Sequence, residues 1–156
     1  MRNTKPFVQV ACVCENILFD KDNVASLIRI VDAFKVNVPK DLPPGMPGGF
    51  PISIFIRLSF ADEVREPTKV SIQSLRPDGT RGVKSDISVG TVAGYRNVQI
   101  RIESHVINPQ AGIYWFEVSW NDELLTKIPI TVTVVEGQLP PGLSATIVNP
   151  TPNEPA

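Results

Sequence analysis

Between Gln110 and Val134, apolar and polar residues alternate through two runs separated by Asn121-Asp122. Successive side chains of a strand point to opposite faces. Tyr114, Phe116, Val118 and Trp120 therefore share one face, and Ile113, Trp115, Glu117 and Ser119 the other. The return run puts Leu124, Thr126, Ile128, Ile130, Val132 and Val134 together. A two-residue Asn-Asp connection tolerates positive φ and predicts a type I′ hairpin. Pro129 cannot donate to a ladder, which predicts an edge position or a bulge. The same period of two marks residues 51–60, 69–75 and 97–107 as strands, and the apolar run 7–14 reads as a first strand. In 51–60, Ile52, Ile54, Ile56, Leu58 and Phe60 oppose Ser53, Phe55, Arg57 and Ser59. Residues 24–38 fit two patterns. Ile28, Ile30 and Phe34 alternate as a long strand interrupted by Asp32, while Leu27, Ile28, Val31 and Phe34 have helical spacing.

Punctuation supports many short strands. Residues 39–51 hold five prolines and three glycines, which no regular element tolerates. Pro77-Asp78-Gly79 and Asn108-Pro109-Gln110 read as turns. Residues 81–96 read as a long connection with room for a short strand. Seven strand-like runs and no capped helix predict an all-β domain, an antiparallel β-sandwich of about seven strands. It spans residues 1–136, followed by a Pro-rich flexible tail over 137–156.

Charge narrows the function classes. Fifteen Lys and Arg face sixteen Asp and Glu, a net charge of −1. Such a chain has no field to hold nucleic acid or an anionic membrane. No apolar stretch approaches the ~20 residues of a membrane span. The basic start followed by residues 7–14 invites a signal-peptide reading. That run is short, contains Gln9 and leads into Glu15 without a cleavage signature, so it reads as a first strand of a cytoplasmic protein. Cys12 and Cys14 fall on one face of that strand, about 6.5 Å apart at strand rise. That is near the upper limit for a disulfide, so two buried thiols are expected.

Ala111-Gly112-Ile113-Tyr114-Trp115-Phe116 resembles the start of the sixth strand of immunoglobulin-like domains. The resemblance implies that the Tyr114 hydroxyl bonds back to the backbone just upstream. Phe116 stands where antibody domains carry a cysteine. Over residues 7–135 the layout also resembles a bacterial family of uncharacterised sandwich domains. These have a Cys-bearing first strand and end in G-x-Y-x-F-x-V, a turn and E-L-L-x-x-I-P-I. The resemblance implies an immunoglobulin-like β-sandwich and no particular chemistry.

Catalytic and cofactor motifs are sparse. His105 is the only histidine, and no phosphate-cradling glycine motif occurs. No cofactor or metal is expected. Asp20 and Asp22 in one loop, with Asp62 and Glu63 in another, are the weak calcium candidates, since calcium needs six to eight oxygen ligands. Phe55, Arg57, Ile113 and Trp115 all face away from the expected core. On one sheet they would form an aromatic-plus-arginine patch of the kind enriched at interfaces. The expected function is a non-enzymatic protein-interaction or assembly module, a homo-oligomer or the binder of a protein partner. The alternatives are cover by the chain's own loop or tail, and a carbohydrate- or calcium-binding module.

Overall fold

The computed structural model describes residues 5–40, 48–64, 66–91 and 94–137. Among them are nine strands and no helix. No helix there is long and apolar enough to cross a membrane. Most of the 39–51 segment and all but the first residue of the 137–156 tail lie outside the described residues.

The strands are β1 (Phe7–Phe19), β2 (Ala25–Ile30), β3 (Ala33–Pro39), β4 (Gly49–Ser59), β5 (Thr68–Leu75), β6 (Ser85–Val89), β7 (Asn97–Ile107), β8 (Gly112–Trp120) and β9 (Glu123–Gly137). They form a four-stranded sheet ordered β2-β1-β4-β7 and a five-stranded sheet ordered β3-β9-β8-β5-β6. One apolar cluster joins the sheets. Ile52, Ile54, Ile56 and Leu58 of β4 and Ile100 of β7 meet Val70 and Ile72 of β5, Tyr114, Phe116 and Val118 of β8, and Ile128 and Ile130 of β9.

Nine strands replace seven because two runs behave differently from their pattern. Ser85–Val89 forms β6 on the edge of the second sheet. Residues 24–38 are neither one strand nor a helix. They break at Val31-Asp32, where the chain leaves the first sheet for the second. The Val31 N–H donates to Val13 O at 2.9 Å, while Asp32 O accepts from Thr131 N at 2.8 Å. Ile28 and Ile30 are consequently exposed, and Phe34 packs into the sandwich 4.8 Å from the Phe50 ring. The crossover also makes β3 parallel to β9, so the sheet is not purely antiparallel. No hairpin links these two strands, and nothing local imposes the antiparallel sense.

The β8–β9 hairpin has its expected geometry. Asn121 and Asp122 have φ of 45° and 67°, the paired positive values of a type I′ turn. Pro129 is flanked by β8 alone, since β3 joins β9 only from Thr131 onward. Thr131 directs its N–H away from β8, towards β3. Pro129 has the same parity, so its missing donor falls on an open edge. The bulge lies elsewhere, at Val118/Ser119.

Two contacts fix how β8 enters the sheet. The Tyr114 hydroxyl accepts the Gln110 N–H at 2.9 Å, the bond back to the upstream backbone expected from the resemblance. Gly112 has φ of 134°, and a Cβ there would sit 2.8 Å from Pro77 Cβ. Gly112→Val combines a backbone region closed to L residues with overpacking, and should cost about 2–5 kcal/mol in urea denaturation. Retained stability would show that Pro77 yields freely.

Asp78 ties the preceding turn to the same corner. Its carboxylate accepts from Thr80 N, Thr80 Oγ1 and Gln110 Nε2, and these bonds hold its carboxyl well below 3.8, at about 2. Its stabilising contribution is fully present above 3.8 and is lost as pH falls through about 2. An NMR titration should place the Asp78 midpoint in that window. Asp78→Asn should flatten the acid limb of the stability profile, and a midpoint near 3.8 would contradict the bonds.

Candidate functional site

β1 is apolar on both faces, and a bulge explains how. Val8 pairs with Leu58 and Val10 with Arg57, leaving Gln9 as the extra residue. Val8, Ala11 and Val13 thus reach the inter-sheet core, while Val10, Cys12 and Cys14 face outward. On that outer face β1 continues past the edge of β4, turns at 20–24 and returns as β2. Ile17, Ala25 and Leu27 close over Phe55, together with Cys14. Phe55 therefore lies on the outer side of its sheet and is only 4% exposed.

Beside this second cluster runs a groove of about 720 Å³. Val10, Phe55, Ala25 and Leu27 supply apolar walls. Asp22, Asn23, Asn97, Gln99 and Arg57 supply polar ones, and Tyr95 stands at the rim, 67% exposed. Strand register sets the order: Val10, Arg57 and Gln99 are neighbours across β1, β4 and β7, and Cys12, Phe55 and Arg101 form the next row. Among the described residues, the buried polar side-chain atoms without a hydrogen-bond partner are Arg57 Nε, Gln99 Oε1 and Trp120 Nε1. Arg57 and Gln99 both line the groove.

Arg57, like Arg76 and Arg96, has no ion pair among the described residues, whereas three other arginines do. Arg101 pairs with Glu103, Arg81 with Glu117, and Arg29 with Glu15. No described carboxylate comes within 4 Å of Arg57, although Asp22 lines the same groove.

The four expected interface residues divide. Phe55 and Arg57 meet in the groove of the first sheet, whereas Ile113 and Trp115 lie on the outer face of the second. The four therefore do not form one patch, because β4 and β8 belong to different sheets. Trp115 is half-buried between its register partners Leu75 and Pro129, and Ile113 is 49% exposed. The adjacent row is charged: Glu117 accepts from Lys127 at 2.8 Å and from Arg81, which holds its carboxyl below the usual range. That row limits the apolar area around Trp115. Tyr95, Asn97 and Gln99 escaped the sequence reading, because 81–96 shows no periodicity and β7 reads as an ordinary alternating strand.

Two of the four acidic candidates, Asp20 and Glu63, bond to loop backbone. Asp20 Oδ1 accepts from Asp22 N at 2.9 Å and Val24 N at 2.8 Å, shaping the turn between β1 and β2. Glu63 Oε1 accepts from Gly94 N at 2.9 Å. Among the described residues, no group of three or more His, Cys, Asp or Glu is placed to hold a metal. Cys12 and Cys14 are free thiols, and burial pushes both above the ordinary cysteine value. His105 is exposed on β7.

Residues 9–133 match a family of unknown function, DUF6941. The chain belongs to that family. No curated protein matches it. Among solved structures, this DUF6941 chain is similar to the Pseudomonas fluorescens alkylpurine DNA glycosylase AlkC bound to DNA containing an abasic site analog. The TM-score is 0.51 at 12% identity, over 85% of this chain. The chain spans 31% of that protein's length, and the likeness is one of fold.

Proposed function

We propose that this DUF6941 chain is a non-enzymatic recognition module on an immunoglobulin-like sandwich, and that it seats a segment of a protein partner in the groove under the β1–β2 hairpin. The observation that carries this reading is a groove with an apolar floor, lined by two residues, Arg57 and Gln99, that each keep a covered side-chain atom without a partner. Pockets with apolar walls and a few convergent polar groups are the usual form of a binding site. The immunoglobulin-like assignment is supported by the β9-β8-β5-β6 order, which matches the hairpin sheet of that fold, and by the Tyr114–Gln110 bond.

A non-enzymatic role is supported by the state of the reactive groups. The raised thiols of Cys12 and Cys14 disfavour the thiolate a nucleophile needs. Free thiols also support a reducing, cytoplasmic setting. The DNA named with the solved neighbour finds little support here. The net charge is −1, and Lys69, Lys84, Arg81 and Lys127 are already paired with Asp122 or Glu117.

Selection from a peptide library with both ends presented free tests the module reading. Enrichment is expected on the wild-type chain and should be lost on Leu27→Glu, which places a charge on the groove wall. No enrichment, or enrichment that survives this substitution in a folded protein, would refute the reading. One feature favours a second ligand class: exposed Tyr95 lines the groove together with Asn23 and Asn97, an aromatic face and amides of the kind a sugar needs. A glycan array with Tyr95→Ala as control separates the two.

A further inference from the structure

We propose that the groove captures the free C-terminal end of a peptide whose last residue is apolar. This rests on the recognition reading above and names what the groove recognises. Arg57 Nε is a covered donor without an acceptor, and its cross-strand neighbour Gln99 Oε1 is a covered acceptor without a donor. Because both atoms are covered, the two side chains turn into the groove on binding. The terminal residue of a peptide then offers an acceptor and a donor side by side, its carboxylate for Arg57 and an N–H for Gln99.

The charge argument selects the carboxylate. A guanidinium has five donors in a planar fork that matches a carboxylate's two oxygens. A partly buried cation without a counter-ion is costly, so the free groove is electrostatically incomplete. Asp22 at the rim and the net charge of −1 oppose a doubly charged phosphate more than a singly charged carboxylate. Beside Arg57, the Phe55, Leu27 and Val10 surface receives an apolar side chain. The volume of about 720 Å³ suits a few residues rather than a long segment.

The test titrates the full chain with acetyl-seryl-glycyl-leucine as the free acid and as the C-terminal carboxamide. NMR follows the Arg57 Nε–H and Gln99 side-chain amide signals. The acid should shift both signals saturably, and the carboxamide should bind at least about tenfold more weakly. Arg57→Met should remove the preference for the acid. Asp22→Asn should tighten the acid by roughly two- to fivefold through the loss of a like charge, with the amide unchanged. Gln99→Glu gives Arg57 an internal carboxylate, and should block the acid while raising the melting temperature. Equal binding of acid and amide, or acid binding that leaves the Arg57 signal unmoved, would overturn the proposal while the module reading stands. So would a blank titration beside a library selection that yields internal peptides. A blank titration together with a blank selection removes both.

Discussion

Truncating Phe55 to alanine should lower the unfolding free energy by about 3–5 kcal/mol and loosen the β1–β2 hairpin from the sheet beneath it. A buried aromatic ring removes roughly 150–250 Å² from water. At about 25 cal/mol per Å² that is about 4–6 kcal/mol, an upper bound because unfolded chains already bury some surface. The ring sits outside the inter-sheet core, in a satellite cluster with Cys14 and Ile17. Its loss should therefore be felt locally as well as globally. Urea denaturation should show a lower midpoint, and amide exchange should accelerate more at Ile17 and Leu27 than at Ile56 and Val118. A uniform acceleration would show that the hairpin is not held separately. The groove loses its floor in the same variant, so peptide binding should fail with it.

Tyr114 should give the second large effect, and two substitutions divide it. Tyr114→Ala removes a ring that is 2% exposed between the sheets and should cost about 3–5 kcal/mol. Tyr114→Phe keeps the ring and removes only the acceptor of the Gln110 N–H, which should cost about 1–3 kcal/mol if that donor stays unpaired. Midpoints and slopes from urea denaturation measure both. A neutral Tyr114→Phe would show that the corner bond adds nothing and that the ring alone carries the effect.

The contrast between these residues shows where the sequence was legible. Tyr114 lies in a run whose alternation and turn agree, so its face could be expected from the pattern, and its hydroxyl bond from the resemblance to immunoglobulin-like domains. The β4 alternation likewise separated Ile54 and Ile56 from Phe55 and Arg57. What it could not supply was the cover. Phe55 reads as outward-facing, and it is, but the hairpin made by a distant stretch of chain folds over it. Similarly, residues 24–38 carry apolar positions that suit a strand. Their division between two sheets depends on Val31-Asp32 meeting Val13 and Thr131, partners far away in sequence.

The sequence by itself determined the all-β class, the type I′ hairpin, the inner faces of β4 and β8, and the near-zero net charge. Each depends on neighbours within a few residues or on composition. Only the tertiary structure decided that β4 and β8 lie in opposite sheets, which separates Phe55 and Arg57 from Ile113 and Trp115. It alone brought Tyr95, Asn97 and Gln99 to the Arg57 groove. Strand periodicity fixes which way a side chain points relative to its own backbone. Which strand becomes its neighbour is set by contacts distant in the chain, and a groove across several strands is built from such neighbours.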